Sequence, residues 1–252
     1  MTNILLCGCS GRMGEAVSKL VGERNDAKII AGIDVSSLAQ ASGYPIYQNI
    51  SEFSGKADVI VDFSHHTALP SLLEYAINTN TPIVVCTTGH TEAELAAMEE
   101  ASKKVAVFHS GNMSIGINLL MELCKKASET LGTAFDVEIV EKHHNKKLDA
   151  PSGTALMLAD TVKSTRERTE YVFDRHSVRR QRSTDEIGIH SVRGGTIVGE
   201  HEVIFAGNNE VITISHSAMS REIFAAGAVR AAVFMTDKDA GLYNMSNVIN
   251  NK

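Results

Sequence analysis

Three features of the sequence predict an α/β protein. Short β-branched runs alternate with helical patterns through the first half of the chain. A glycine-rich turn separates the first such run from the first helix. After about residue 113 the rhythm changes to alternating segments broken by turn-forming pairs. The first half therefore reads as an N-terminal Rossmann-like dinucleotide-binding domain. The second reads as an α+β domain built on a mainly antiparallel open sheet. The expected division is residues 1–112 with 221–252 for the first domain and residues 113–220 for the second.

The elements follow in order. Asn3 to Gly8 reads as the first strand, and Arg12 to Arg24 as a helix whose Met13, Ala16, Val17, Leu20 and Val21 share a face at i, i+3, i+4 spacing. Lys28 to Asp34, Ala57 to Phe63, Pro82 to Thr87 and Lys104 to Phe108 are apolar runs of buried-strand length, with helical stretches at Ala68 to Thr79 and Glu92 to Lys103. A long helix is expected over Ser114 to Leu131, an extended run over Phe135 to Glu141, and a helix opening near Ser152. Three alternating segments, Ile189 to Arg193, Gly199 to Gly207 and Glu210 to Ala218, are separated by Gly194-Gly195 and by Gly207-Asn208-Asn209, both read as hairpin breaks. Arg221 to Met235 has helical spacing and is expected to return to the first domain. Residues 163–186 are charged and poor in large apolar side chains, and are expected to form a mobile surface segment.

Composition narrows the function classes. Of the 252 residues, 43% are hydrophobic and 21% charged, the balance of a water-soluble globular protein. No apolar run approaches the roughly 20 residues of a membrane span, and the N-terminus lacks the pattern of a secretory signal, so a cytoplasmic location with no membrane partner is expected. A net charge of −6 argues against a general nucleic-acid binder. Cys7, Cys9, Cys86 and Cys124 are too few and too apolar in context for a disulfide framework, and their spacing suits no zinc site; reduced thiols and no metal are expected.

The glycine turn is Gly8-Cys9-Ser10-Gly11-Arg12-Met13-Gly14. Glycines allow a tight turn and close backbone approach, and the amides at the start of the following helix face a pyrophosphate. The spacing is G-x-x-G-x-x-G rather than the commoner G-x-G-x-x-G, so the pattern alone is weak. Its position, with Asp34 at the end of the next strand able to hold an adenosine ribose, supplies the context. Val35, Ser36 and Ser37 follow, with no arginine for a 2′-phosphate. That leans toward NADH, while Ser36, Ser37 or Arg12 leave NADPH open.

The densest chemistry lies in Glu138 to Ala155. His143 and His144 exchange protons near neutral pH, Lys146 and Lys147 add positive charge, and Pro151-Ser152-Gly153-Thr154 has the make-up of a helix N-terminus that can hold a carboxylate. Each residue alone has a bland reading, as a solvated lysine, a hydrogen-bonded histidine or a simple cap. Together, in a chain with a cofactor turn, they suit an anionic substrate that must be protonated.

The run E-I-V-E-K-H-H-N-K-K-L-D-A-P-S-G-T-A, residues 138–155, resembles without a gap the signature of the dihydrodipicolinate (4-hydroxy-tetrahydrodipicolinate) reductases. Gly11 to Gly14, Asp62-Phe63-Ser64, Thr87-Thr88-Gly89, Gly111 to Gly116, Val198 to His201 and Ser220-Arg221 match in the family's order. The resemblance implies an NADH- or NADPH-dependent reductase of a cyclic dicarboxylate in lysine biosynthesis. It implies His143 as general acid and Lys147 as second proton donor or electrostatic stabiliser, with His144, Ser152, Gly153 and Thr154 on the substrate carboxylates. Gly8, Cys9, Ser10, Gly11, Arg12 and Met13 would bind the pyrophosphate and Asp34 the ribose. Cys86, Thr87, Thr88, Ser110, Gly111, Asn112 and Met113 would line the nicotinamide side. The second domain would bind substrate and, through its sheet, build a homotetramer. Three departures stand beside the cofactor: Cys86 for the usual glycine, Met113 for the usual phenylalanine, and Val35 where an arginine sometimes follows the ribose acid.

Overall fold

The computed structural model describes residues 1–36 and 43–250; Ser37 lies outside them. In chain order the elements are β1 (Thr2–Cys7), α1 (Arg12–Gly22), β2 (Ala27–Ile33), β3 (Ile46–Tyr47), β4 (Val59–Asp62), α2 (Leu69–Thr79), β5 (Ile83–Val85), α3 (Glu92–Ser102) and β6 (Ala106–His109). They continue with α4 (Ile115–Leu131), β7 (Asp136–His143), α5 (Gly153–Lys163), β8 (Glu170–Val172), β9 (Glu186–Arg193), β10 (Gly199–Ala206), β11 (Val211–Ala218), α6 (Glu222–Met235), β12 (Gly241–Tyr243) and α7 (Met245–Asn250). The chain divides into two compact units, Met1–Ile115 with Arg221–Lys252, and Gly116–Ser220.

The first unit is a seven-stranded sheet in the order β12-β6-β5-β4-β1-β2-β3, parallel at every pairing. Its apolar runs lack alternation because both faces are covered. Val17 and Val21 of α1, Ala225, Ala228, Val229 and Ala232 of α6, and Met245 and Val248 of α7 bury one face. Leu69, Leu72, Leu73 and Ala76 of α2 with Met98 and Ala101 of α3 bury the other. Helix α3 starts at a capping box: Thr91 Oγ1 accepts from the Glu94 amide at 3.2 Å, and Glu94 Oε2 accepts from the Thr91 amide at 2.7 Å. The chain leaves β1 toward β2 on one side and resumes with β4 on the other. Ligands of such sheets bind at the carboxyl ends of the strands flanking this switch point.

The second unit is a five-stranded sheet in the order β11-β10-β7-β9-β8, with one face covered by α4 and α5 through Ile117, Leu120, Cys124, Leu158 and Val162. The sheet is mixed rather than mainly antiparallel: β10 pairs antiparallel with β11 and β7, while β9 runs parallel to both β7 and β8. The Gly207 to Asn209 break is a true hairpin, with Asn209 in the left-handed region at φ 67° and the Gly207 amide donating to the Glu210 carbonyl. The Gly194-Gly195 break is not. Strand β7 occupies the place between β9 and β10, so the two never pair, and alternation alone carries no information about which strand lies beside which.

The charged stretch 163–186 contributes the edge strand β8 and is tied to the sheet by arginines. Arg166 donates to the Gly132 and Phe135 carbonyls at 3.0 Å each, and Arg182 to Asp136, Glu138 and the Val137 and Glu186 carbonyls. Its low apolar content reflects a surface fastened by guanidinium groups.

Candidate functional site

In the first unit the glycine turn sits at the carboxyl end of β1. Gly8 has φ 74°, and a Cβ there would stand 2.5 Å from the Phe63 carbonyl oxygen; a Cβ on Gly14 would strike the Gly8 carbonyl. These two glycines are required by sterics, one by its backbone angle and both by close packing. Gly11 is the N-cap of α1 and donates to the Gly8 carbonyl at 3.2 Å. Cys9 is buried with its thiol against Gly32 of β2, so only its backbone is available to a ligand, and the Arg12 side chain is exposed.

Asp34 follows β2. Its carboxylate accepts from the Ser10 amide at 2.9 Å and from the Ser36 amide at 2.9 Å, which ties the glycine turn to the end of the second strand. A cavity of about 560 Å³ opens here, lined by Gly8, Gly11, Asp34, Val35 and His65 among others. A second, of about 430 Å³, is lined by Met13, Cys86, Thr87, Thr88, Ser110, Gly111, Asn112 and Met113. The two share a wall of Phe63, Ser64 and His65, so one groove runs along the strand ends. Its two lobes and glycine floor fit an extended dinucleotide lying across the switch point.

Asp62, fully buried at the end of β4, organises this groove. Its carboxylate accepts from the Ser64 amide (2.9 Å), Ser64 Oγ (2.5 Å) and Thr87 Oγ1 (2.8 Å). Burial raises its pKa, against the opposing effect of those donors. Sequence matching had flagged Asp62-Phe63-Ser64 without giving these residues a role. The signal available was an acid ending an otherwise apolar buried strand.

The second unit carries the titratable cluster. Strand β7 alternates so that Val137, Ile139, Glu141 and His143 all face inward. Glu141 is fully buried and accepts from His143 Nδ1 at 2.6 Å, from both terminal nitrogens of Arg193 at 2.7 Å each, and from the Ser152 amide at 3.1 Å. Burial pushes its carboxyl up, but donors from Arg193, Ser191 and His143 outweigh that and hold it at about 2. Ser152 caps α5, its Oγ accepting from the Ala155 amide at 3.1 Å and lying 3.0 Å from His201 Nε2. The His143 and His201 rings meet edge to face at 5.2 Å. Burial lowers the pKa of His143 and brings that of His201 down to about 4.

Around them, Lys147 pairs with Asp149 at 2.8 Å. Gly153 and Thr154 are the first two residues of α5, and a Cβ on Gly153 would meet nothing within 4 Å, so the helix start is open on that side. Among the described residues, His144 Nδ1 and His201 Nδ1 are buried without a hydrogen-bond partner, an uncommon state for buried polar atoms. The structure thus gathers His143 at the end of β7, His144 and Lys147 on the loop that follows, and Ser152, Gly153 and Thr154 at the start of α5, while Lys146 is exposed. Glu141, Arg193 and His201 were missed as site residues. Glu141 was legible as a charge at an inward position of a strand; Arg193, fifty residues away, had no local signal.

A glycine-floored groove at a parallel-sheet switch point and a separate histidine-lysine cluster fit a dinucleotide-dependent oxidoreductase. Comparison with known proteins narrows the class. Residues 2–113 match the dihydrodipicolinate reductase N-terminal family and residues 116–249 its C-terminal family. The 4-hydroxy-tetrahydrodipicolinate reductase of Caldanaerobacter subterraneus subsp. tengcongensis is 50% identical over 250 residues, covering 99% of this chain and 98% of its own. That of Clostridium novyi is 50% identical over 253 residues and covers both chains completely. The dipicolinate-bound dihydrodipicolinate reductase from Paenisporosarcina sp. TG-14 superposes with a TM-score of 0.79 at 25% identity, covering 97% of each chain. The chain belongs to the dihydrodipicolinate reductase family.

Proposed function

We propose that this protein reduces (2S,4S)-4-hydroxy-2,3,4,5-tetrahydrodipicolinate to tetrahydrodipicolinate with NADH or NADPH, in the diaminopimelate route to lysine. The observation that carries the reading is the cluster of His143, Lys147 and the α5 start in one unit, in a chain whose other unit holds a dinucleotide groove. The dipicolinate in the Paenisporosarcina relative is a planar ring with two carboxylates, the chemistry this cluster suits. When bound, the reduced nicotinamide supplies the hydride.

The chain's own residues do the rest. Gly8 to Met13 cradle the pyrophosphate with backbone amides, and Asp34 takes the ribose hydroxyls. Cys86 to Thr88 and Ser110 to Met113 form the nicotinamide wall, where Asp62 fixes Thr87. Ser152, Gly153 and Thr154, with His144, hold the substrate carboxylates through the amides and dipole of α5. His143 donates the proton to the ring, and Lys147 offsets negative charge that develops there. The first unit is accordingly the cofactor domain, bounded near residues 112 and 221, and the second the substrate domain.

The outward face of the five-stranded sheet, opposite the helices, sets Val140, Val192, Ile204 and Val211 among Glu138, Lys142, Glu200 and Glu202, and is the face through which a homotetramer would assemble. Among the described residues no helix is long and apolar enough to cross a membrane, and all four cysteines are unpaired and buried, in keeping with work in the cytoplasm. The test is to supply freshly made hydroxy-tetrahydrodipicolinate with each cofactor in turn and follow loss of nicotinamide absorbance. Turnover is expected; cofactor binding without any turnover would overturn the proposal.

A further inference from the structure

We propose that Glu141 and Arg193 are positioning residues that fix which nitrogen of His143 carries the proton and how tightly it is held. The inference deepens the reading of His143 as proton donor and rests on it. The geometry is that of a clamp. Glu141 is wholly buried, accepts from His143 Nδ1 at 2.6 Å, and is gripped bidentately by Arg193 at 2.7 Å and 2.7 Å. A buried carboxylate can only accept here, so the neutral ring is the Nδ1–H tautomer, and Nε2 is the atom that takes up and releases the proton. Gly199 backs this assignment: a Cβ there would stand 3.1 Å from His143 Nε2, so glycine at the head of β10 leaves that nitrogen uncovered.

Arg193 gives the clamp its balance. A lone buried carboxylate beside an imidazole would favour the imidazolium and make it a sluggish donor. The guanidinium neutralises Glu141 and opposes that effect, leaving orientation without strong proton retention. Arg193 also donates to the Asp149 carbonyl at 2.6 Å, and the Gly194 amide donates to the His143 carbonyl at 2.9 Å, so the same strand end holds the loop carrying Lys147. The ionisable groups facing His143 are Glu141 from β7, Lys147 from the following loop, Arg193 from β9 and His201 from β10. The first favours the charged ring, and the three others oppose it.

The experiment is an NMR titration of ring nitrogens in the full-length, ¹⁵N-histidine-labelled protein, with the His143 signal assigned by its loss in His143→Gln. In the wild type, the neutral His143 is expected as the Nδ1–H tautomer; an Nε2–H tautomer would overturn the proposal with no variant needed. Glu141→Gln is expected to move the His143 titration down by about one pH unit and Arg193→Gln to move it up by a similar amount. Shifts in the same direction, or none, would contradict the clamp. Turnover against pH separates the two readings. If the ring pKa moves in opposite directions while the pH profile of kcat stays fixed, the clamp stands and His143 is not the proton donor. If both move together, both hold.

Discussion

On the inward face of β10, His201 shows what burial does to a single imidazole. Loss of water, with the nearby His143, brings its pKa down to about 4 from the ordinary 6.5. The unfolded chain therefore takes up a proton near pH 6.5 that the folded chain refuses until about pH 4. The stability tied to this group is complete above 6.5 and is lost as pH falls toward 4. Each pKa unit corresponds to about 1.4 kcal/mol, so the effect is on the order of 3 kcal/mol. Denaturant midpoints measured from pH 7 to pH 4 should fall for the wild type and fall less for His201→Gln. Glu141 acts in a lower window: its carboxyl is depressed to about 2, so its contribution is present above the unfolded value near 4.5 and lost below it. Val35 offers a test in the other unit. Its side chain is 90% exposed on the wall of the Asp34 cavity, so among the described residues Val35→Arg meets no steric obstacle and places a guanidinium beside Asp34, the acid proposed for the ribose. The ratio of kcat/KM for NADPH over NADH is expected to rise by about tenfold, the effect of roughly 1.4 kcal/mol; an unchanged ratio would place the ribose elsewhere.

Helix α6 is packed so closely on the first unit that one of its glycines is obligatory. A Cβ on Gly227 would collide with the Met113 carbonyl, whereas one on Gly22, at the end of α1, would meet nothing within 4 Å. Gly227→Ala should cost on the order of 3 kcal/mol, and Gly22→Ala about zero or a slight gain, measured by chemical denaturation. The return of α6 to the first unit was legible from its apolar spacing, as were the glycine turn, the parallel strands and the helix start at Ser152. These are local patterns: periodicity, caps and strand-to-helix turns. The partner order of β7, β9 and β10 was not, because pairing between strands some fifty residues apart leaves no trace in their alternation. The short strands β3, β8 and β12 escaped for a related reason: two or three residues outside any longer apolar run, unlike β5, carry too little pattern to read, and neighbouring strands define them.

Across the whole molecule the proposed function divides the chemistry between the two units, with the cofactor groove assigned to one and the proton donors and substrate-carboxylate site to the other. Such a division predicts that damage to one leaves the other's binding intact. His143→Gln alters the second unit only, so NADH should bind to it as it does to the wild type. A positioned proton donor contributes about 10²- to 10⁴-fold to a rate. The most direct measurement is single-turnover reduction of hydroxy-tetrahydrodipicolinate by His143→Gln preloaded with NADH, beside an equilibrium titration of the same cofactor. The account predicts a rate lower by at least about a hundredfold with an unchanged Kd for NADH. A rate equal to that of the wild type would remove His143 from the reaction and contradict the account.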